Sequence, residues 1–353
     1  MKKILLVFII TIILIIPVNC NAYFKSVVLM DLDSGRVLYE KNKDEKRLVA
    51  SISKIMTAVI ALENGSLDDI VEIKEDVLKM YGSNIYVSPG DKLTLRDLLY
   101  GLILRSGNDA ALSIALHIGK TEENFVKMMN KKAKEIGMNN TVYENPHGLD
   151  EETRNYTTAS DMAKLSRYAY KIDEYRKISS TKKWIVQANN KTDIWYNRNK
   201  LLFRYKYATG GKTGYTPKAG RTLVSTASKD NLNLTIVSLD DYDHYNNHEN
   251  LYEYAFNKYK KYLIIDKGNF NIDTNFYKDK VYINKSFSYP LTLDEAKDIR
   301  VIAKIYKLDK YKNDDKVGEV KVLLKDKEIF KDDIFVKVNK KKTLIEKLKN
   351  IFK

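Results

Sequence analysis

Residues 50–65 of this chain read ASISKIMTAVIALENG, and much of the architecture follows from them. Apolar side chains recur there at helical spacing, and Gly65 follows them as a stop signal. The pattern predicts a buried helix that begins at Ser51. Because residues three apart lie on one face of a helix, Lys54 should be within reach of the Ser51 hydroxyl.

Two further motifs follow along the chain, each inside a longer segment. SGN at residues 106–108 lies within LLYGLILRSGNDAA, and KTG at residues 212–214 lies within GKTGYTPKAG. The series S-x-x-K, S-G-N and K-T-G resembles the signature of penicillin-binding proteins and active-site serine β-lactamases. With these surroundings the chain resembles the serine-type D-alanyl-D-alanine carboxypeptidases, the low-molecular-mass penicillin-binding proteins that trim cell-wall peptides. The resemblance covers nearly the whole exported chain.

Hydrophobic periodicity outlines the predicted elements. Helices are predicted over residues 51–63, 94–104, 109–118, 122–136 and 160–170. Strands are predicted over residues 27–31, 36–39, 221–227, 231–239, 280–283, 301–306, 317–324 and 334–338. With the resemblance, this pattern implies an α/β fold of the DD-peptidase and β-lactamase type, in which helices flank an antiparallel sheet.

The chain divides into four predicted parts. Residues 1–22 are predicted to be an export signal, because two lysines precede an apolar run at residues 4–16. That run is shorter than the roughly 18 to 20 residues of a membrane-spanning helix. Residues 23–262 are assigned to the catalytic domain and residues 263–338 to a small all-β domain. Residues 339–353 predict an amphipathic, membrane-associating helix, with a helix docked on the β domain or a frayed basic tail as alternatives.

The charge composition limits the kinds of molecule that this protein is expected to bind. The formal net charge of +15 favours anionic partners, and no nucleic-acid-binding motif is found in the sequence. The predicted partners are the peptidoglycan stem peptide, β-lactam inhibitors and an anionic membrane surface. The predicted location is the outer face of the cytoplasmic membrane or the cell wall. The single cysteine, Cys20, falls in the signal segment, so no disulfide is expected.

The three motifs can supply each group that amide hydrolysis needs. Ser51 is the predicted nucleophile, and Lys54 is the predicted general base, since burial and the charge of Lys212 should lower the pKa of its amine. Ser106 is predicted to relay the proton to the leaving D-alanine. The resemblance implies that backbone N–H groups of Ser51 and Tyr215 form the oxyanion hole.

The other motif residues are predicted to bind substrate. Asn108 should hold the substrate amide, and Lys212 with Thr213 should clamp the terminal carboxylate that a carboxypeptidase must detect. Gly214 lacks a side chain, so a substrate backbone can lie along its strand. Arg198 is a weaker candidate for the carboxylate and is expected to be solvated or structural.

The histidines are assigned no chemistry. His147, in NPHGL at residues 145–149, is expected to be structural. His244 and His248 lie near three aspartates and could imitate a metal site, but no third set of ligands is evident. Neither a metal nor another cofactor is expected.

The predicted function is removal of the terminal D-alanine from stem pentapeptides through an acyl-enzyme. One alternative is a serine β-lactamase, although the E-x-x-L-N segment and the S-D-N motif of the class A enzymes are missing. The other alternative is a non-catalytic wall-binding module of the same fold, which the intact motifs do not favour.

Overall fold

The computed structural model describes residues 24–188, 191–269, 276–277 and 280–338. The predicted signal peptide and tail helix lie outside these residues. The helices within them are α1 (Lys54–Asn64), α2 (Leu95–Tyr100), α3 (Asn108–Gly119), α4 (Glu122–Glu135), α5 (Ala159–Ala169), α6 (Asp173–Ser180), α7 (Leu201–Arg204), α8 (His244–Lys258) and α9 (Leu293–Lys297). The strands are β1 (Phe24–Asp31), β2 (Val37–Lys41), β3 (Arg47–Leu48), β4 (Ile70–Glu72), β5 (Lys92–Thr94), β6 (Tyr156–Thr157), β7 (Lys183–Ala188), β8 (Lys191–Tyr196), β9 (Ala208–Thr216), β10 (Gly220–Lys229), β11 (Leu232–Asp241), β12 (Lys260–Ile265), β13 (Gly268–Asn269), β14 (Lys280–Ile283), β15 (Phe287–Leu291), β16 (Ile299–Ile305), β17 (Lys316–Leu324) and β18 (Lys327–Lys337).

Five antiparallel strands form the central sheet, in the order β2-β1-β11-β10-β9. Successive side chains of a strand point to opposite faces, and in β1 Val28 joins one hydrophobic core while Leu29 joins another. Helix α5 packs on β1 and β11 from the first face, and α8 covers β10 and β11 from the second. The predicted fold, an antiparallel sheet flanked by helices, is confirmed.

The first two predicted helices show local differences from the prediction. A 3₁₀ turn at Ala50–Ser53 precedes α1, and Ala50 takes a φ of +49°. Helix α2 begins after Thr94, whose hydroxyl caps it by accepting a backbone hydrogen bond at 3.0 Å. The chain then continues as a π-helical turn, Gly101–Arg105, that ends at Ser106 with a φ of +63°. The turn thus delivers Ser106 in a left-handed conformation that a regular helix would not give.

Several elements were not predicted. They are helices α6 to α9, the hairpin of β7 and β8, and the short strands β3 to β6, β12, β13 and β15. Residues 244 and 248, considered above as metal ligands, lie on α8 and are buried. The core side of α8 mixes Leu251 and Tyr252 with polar Asn247, so its apolar periodicity is weak.

The C-terminal region forms a second five-stranded sheet, in the order β13-β14-β18-β17-β16. Its own core contains Val281, Val320 and Ile334. The predicted β-rich region is therefore present, while the boundary at residue 262 stays a prediction. In the part of the chain described here, no helix is both long and apolar enough to cross a bilayer.

The turn between β1 and β2 contacts the two-stranded β12-β15 sheet and helix α9, which lie outside both five-stranded sheets. Arg36 donates a hydrogen bond to the Pro290 carbonyl oxygen at 2.5 Å and pairs with Glu295. Asp33 of the same turn pairs with Lys261. These contacts lie beside β2, which is one edge of the central sheet, whereas β9 forms the other edge.

Candidate active site

The serine of the first motif lies in a tightly enclosed turn. Ser51 is in the 3₁₀ turn before α1 and is partly exposed. A Cβ on Gly148 would lie 2.0 Å from the Ala50 carbonyl oxygen, and a Cβ on Gly214 would lie 3.0 Å from the Ser51 nitrogen. Strand β9 can approach this turn because residue 214 has no side chain. The contact therefore explains Gly214 without a substrate, in addition to the role that the sequence predicts.

Lys54 is fully buried and meets three polar partners. Its Nζ lies 3.0 Å from Ser51 Oγ, 2.7 Å from Asn108 Oδ1 and 2.6 Å from the His147 carbonyl oxygen. A neutral amine has two N–H donors and one lone pair. If it donates to the amide and carbonyl oxygens, its lone pair is left for the Ser51 hydroxyl.

The surroundings of Lys54 favour that neutral form. Burial is the main cause that holds the pKa of Lys54 well below 10.5, and the positive charges of Lys212 and Arg198 lower it further. The negative charge of Asp109 opposes them. A lysine with a lowered pKa exposes its lone pair at a lower pH than an ordinary lysine, as a general base requires.

The second and third motifs meet each other through Lys212. Its Nζ donates to Ser106 Oγ at 3.0 Å and to the Thr213 carbonyl oxygen at 2.7 Å. Burial, followed by the charge of Arg198, lowers the pKa of Lys212 to about 7. Within the described ranges, no carboxylate lies within 4.0 Å of Lys212 or Lys54. The site is therefore electropositive and suited to an anionic ligand.

Burial of Lys212 should make stability depend on pH. In the unfolded chain the pKa of Lys212 returns to its ordinary 10.5, whereas in the folded protein it is about 7. The unfolded state therefore binds more protons between these values, and the free energy of unfolding should rise with pH across that window. Urea unfolding at pH 7, 8 and 9 should show this rise. Lys212→Met should reduce the slope without abolishing it, because the pKa of buried Lys54 is lowered as well, and an equal slope in that variant would contradict the prediction.

The residues predicted to bind substrate surround the same groups. Asn108 Nδ2 donates to the Tyr81 carbonyl oxygen at 2.6 Å and carries a second N–H hydrogen. Thr213 and Tyr215 lie on β9, at the edge of the central sheet, where an extended peptide can pair with the strand. The Tyr215 side chain is exposed, and the Arg221 guanidinium lies 5.6 Å from the centre of its ring.

Arg198 connects two segments beside the site. Its Nη1 donates to Ser83 Oγ at 2.5 Å, and its backbone N–H donates to the Leu104 carbonyl oxygen at 3.0 Å. The side chain is exposed to solvent, in line with the structural or solvated role that the sequence predicts. Its charge nevertheless lowers the pKa of both buried lysines, Lys54 and Lys212.

The histidines have local partners. The His147 carbonyl oxygen contacts Lys54, while its ring Nδ1 accepts a hydrogen bond from the Leu149 N–H at 3.1 Å. Burial lowers the pKa of His147 to about 3, so its ring is neutral. The ring nitrogens of His248 lie 2.7 Å and 2.9 Å from two serine hydroxyls. Among the residues that the structure covers, no cluster of three or more His, Cys, Asp or Glu side chains is arranged to hold a metal.

Three residues that support the site were not predicted: Asp109, Tyr81 and Asn155. Asp109 directly follows the SGN motif, and this position could have marked it as a residue of the site. Asn155 Nδ2 donates to Ser53 Oγ at 2.9 Å, which ties a distant loop to the nucleophile turn. Tyr81 contributes its backbone carbonyl. No sequence motif indicates the contact of Asn155 with Ser53 or that of the Tyr81 carbonyl oxygen with Asn108.

Fold and site together define a class. A serine hydroxyl beside a buried lysine whose pKa is lowered, with a second serine and lysine pair close by, lies against the edge of an antiparallel sheet flanked by helices. This is the arrangement of the penicillin-recognising serine enzymes.

Comparison with known proteins gives the family. The chain belongs to the D-alanyl-D-alanine carboxypeptidases of peptidase family S11, whose sequence model matches residues 18–243. This confirms the family that the three motifs predict.

Individual proteins extend the likeness. D-alanyl-D-alanine carboxypeptidase DacF of Bacillus subtilis is 40% identical over 219 residues, which cover 60% of this chain and 56% of the relative. DacC of Escherichia coli is 31% identical over 290 residues, which cover 78% of this chain and 70% of that relative. The crystal structure of DacD from Francisella tularensis matches with a TM-score of 0.72 and 28% identity, and covers 96% of this chain and 97% of that one.

Proposed function

We propose that this protein is a serine D-Ala-D-Ala carboxypeptidase that removes the terminal D-alanine of peptidoglycan stem pentapeptides, a step in cell-wall biogenesis. The observation that carries the proposal is the 3.0 Å contact between Ser51 Oγ and the buried Lys54 amine. The electropositive surroundings and the family membership support it. The substrate of this family ends in a free carboxylate, which suits a site where Lys212 and Arg198 are the nearby cations and no carboxylate of the described residues lies within 4.0 Å of Lys212.

In the proposed acylation step, Lys54 accepts the Ser51 proton while Oγ attacks the carbonyl carbon of the penultimate D-alanine. Backbone N–H groups of Ser51 and Tyr215 stabilise the oxyanion. Ser106, which accepts a hydrogen bond from Lys212, gives its hydroxyl proton to the amine of the departing D-alanine and takes up the proton that Lys54 holds, so that Lys54 is neutral again. Water then attacks the ester while Lys54 accepts a proton from it, and Lys54 returns this proton to Ser51 Oγ as the ester bond breaks and the shortened peptide leaves.

Binding of the substrate is assigned to the second and third motifs. Lys212 and Thr213 hold the terminal carboxylate, and Asn108 donates its second N–H to the substrate amide. Gly214 lies on β9, the edge strand of the central sheet, along which the substrate backbone would add as a further strand.

The decisive experiment uses a peptide and its blocked form. Diacetyl-L-Lys-D-Ala-D-Ala and the same peptide with a C-terminal amide are incubated with the protein and examined by mass spectrometry. The free acid should lose one alanine, and the amide should be cleaved far more slowly, because it offers no charge to Lys212. Equal cleavage of the two peptides, or cleavage of neither, would overturn the proposal.

Penicillin separates the alternatives. Ser51 Oγ contacts Lys54, and among the described residues no glutamate lies within 4.0 Å of the Lys54 amine. The protein should therefore keep a covalent penicillin adduct, visible in its intact mass, and release it slowly. Rapid turnover would identify a β-lactamase, and folded protein that never forms the adduct would identify a non-catalytic module.

The charge of Lys212 should govern the pH dependence of peptide cleavage. With its pKa lowered to about 7, the free enzyme carries this charge below that pH and loses it above. We expect kcat/KM to fall as pH rises through about 7, while kcat falls later, because a bound carboxylate favours the protonated lysine. Lys212→Arg should remove the fall, since a guanidinium stays charged. An alkaline limb that persists in this variant would exclude Lys212 as its source.

We further propose that the protein is exported and held at the outer face of the cytoplasmic membrane by residues 339–353. Support comes from the sequence alone: an apolar helical arc bordered by lysines, which anionic lipid attracts by about 1 kcal/mol for each lysine. Deletion of residues 340–353 should move the protein from the membrane fraction to the soluble fraction. Vesicles rich in phosphatidylglycerol should bind the full chain better than phosphatidylcholine vesicles. Unchanged partitioning after the deletion would contradict the anchor.

A further inference from the structure

A carboxylate outside the predicted machinery organises one wall of the site. Asp109 is 2 % exposed and accepts hydrogen bonds from consecutive backbone N–H groups. Its Oδ2 lies 2.8 Å from the Tyr86 nitrogen and 3.3 Å from the Val87 nitrogen, and Oδ1 lies 3.0 Å from the Ile85 nitrogen. Oδ1 also lies 2.8 Å from the Ala110 nitrogen. An ionised carboxylate is an acceptor at every lone pair, so it matches this array of donors.

The loop that Asp109 holds is the loop that fixes Asn108. The Tyr81 carbonyl oxygen accepts from Asn108 Nδ2 at 2.6 Å, and the Ser83 carbonyl oxygen accepts from the Asn108 backbone N–H at 2.7 Å. Asn108 Oδ1 in turn accepts from Lys54 Nζ at 2.7 Å. Asp109 is therefore connected to the lysine beside the nucleophile by hydrogen bonds at both ends of the loop of residues 80–88 and by the loop backbone between them.

Asp109 also acts on Lys54 through its charge. The charged groups near Lys54 are Lys212 on β9, Arg198 after β8 and Asp109 on α3, while the neutral ring of His147 lies on a fourth segment. Of the three charges, that of Asp109 alone is negative and favours the protonated amine. Removal of this charge should therefore make Lys54 easier to deprotonate.

We propose that Asp109 is a positioning residue for acylation, whose carboxylate fixes the loop of residues 80–88 and thereby holds Asn108 and the Lys54 amine in line with Ser51. The proposal rests on the function proposed above. It assigns to Asp109 a role beyond stability, because the same side chain both shapes the wall and biases the charge of the base.

The test compares Asp109→Asn with Asp161→Asn in the full chain. Asp161 is a matched control: it is equally buried, accepts the Asn140 N–H at 2.8 Å, and lies on α5 away from the site. The amide introduced by Asp109→Asn would present an NH₂ group to N–H donors. We expect this variant to slow acylation by a fluorescent penicillin by about 10- to 100-fold, the loss typical of a misplaced catalytic group.

The pH profile separates positioning from folding. In Asp109→Asn the acid limb of the acylation rate should move to lower pH, because the negative charge that favours protonated Lys54 is gone. Asp161→Asn should keep the wild-type limb, even if its melting temperature falls by as much as that of Asp109→Asn. Asp109→Glu keeps the charge but displaces the oxygens, so it should slow acylation with little shift of the limb. A wild-type rate in Asp109→Asn, or a limb that stays in place in that variant, would overturn the proposal.

Amide hydrogen exchange provides a readout that does not need activity. Asp109→Asn should speed exchange in residues 80–88 selectively, and unchanged exchange there would contradict the role of the carboxylate. If even the wild-type protein is not acylated by penicillin, the proposed function fails, while the exchange measurement still decides whether Asp109 fixes the loop. When Asp109→Asn does not fold, the Asp109→Glu rate and exchange decide in its place.

Discussion

Ser51→Ala should abolish covalent labelling by penicillin and lower kcat/KM for diacetyl-L-Lys-D-Ala-D-Ala by about 10⁴-fold or more, as removal of a covalent nucleophile does in serine hydrolases. The Ser51 hydroxyl is the group that Lys54 contacts, and alanine has no oxygen that could lose a proton and attack the substrate. Intact mass after penicillin treatment and peptide cleavage by mass spectrometry provide the two measurements.

A matched serine serves as the control. Ser166 is buried on α5, and its hydroxyl lies 2.8 Å from Thr235 Oγ1, away from the site. Ser166→Ala should lose some stability, about 1 kcal/mol for one hydrogen bond, and keep its labelling. An adduct that still forms on folded Ser51→Ala protein would place the nucleophile elsewhere.

Lys54→Met should reduce the acylation rate constant by about 10³-fold, within the range that general bases contribute. Methionine fills most of the volume of the lysine stem, so the loss should reflect the missing amine rather than a cavity. The Asn108 amide oxygen and the His147 carbonyl oxygen lose a donor, which lowers the free energy of unfolding by about 1 to 3 kcal/mol. The variant no longer has to bury an amine, which partly offsets this loss. The stopped-flow rate of penicillin acylation measures the effect.

Lys164→Met is the comparison for that experiment. Lys164 donates to the Gly137 carbonyl oxygen at 2.6 Å and lies on α5. Its loss should leave the acylation rate within a factor of about two of wild type, as for a surface substitution away from the site.

In the wild type the rate should also fall as the pH is lowered through the depressed pKa of Lys54, because the protonated amine cannot accept a proton. Fast acylation by Lys54→Met would transfer the base to another residue.

The parts of the fold that local pattern controls were predictable. Helix α1 follows from apolar spacing, and the start of α2 follows from Thr94, whose hydroxyl makes the expected cap. The apolar run at residues 27–31 predicts strand β1, which buries Val28 and Leu29 on opposite faces. The proximity of Ser51 and Lys54 follows from helical geometry.

Features that depend on distant segments were not predictable. The π-helical turn before Ser106 and the left-handed backbone at that residue have no propensity signal. The need for glycine at residue 148 comes from Ala50, in a distant part of the sequence, which a pattern within one element cannot reveal. The carboxylate of Asp109 finds its partners on a loop whose own sequence shows no regular period.

The contacts of Arg36 set a distance. They join β15 and α9 to the catalytic part at the turn that leads into β2, whereas the nucleophile turn lies against β9, at the other edge of the central sheet. Four strand spacings of about 4.8 Å separate the two edges, roughly 19 Å in all. The strand order of the central sheet thus separates the attachment of β15 and α9 from the catalytic serine by about the width of that sheet.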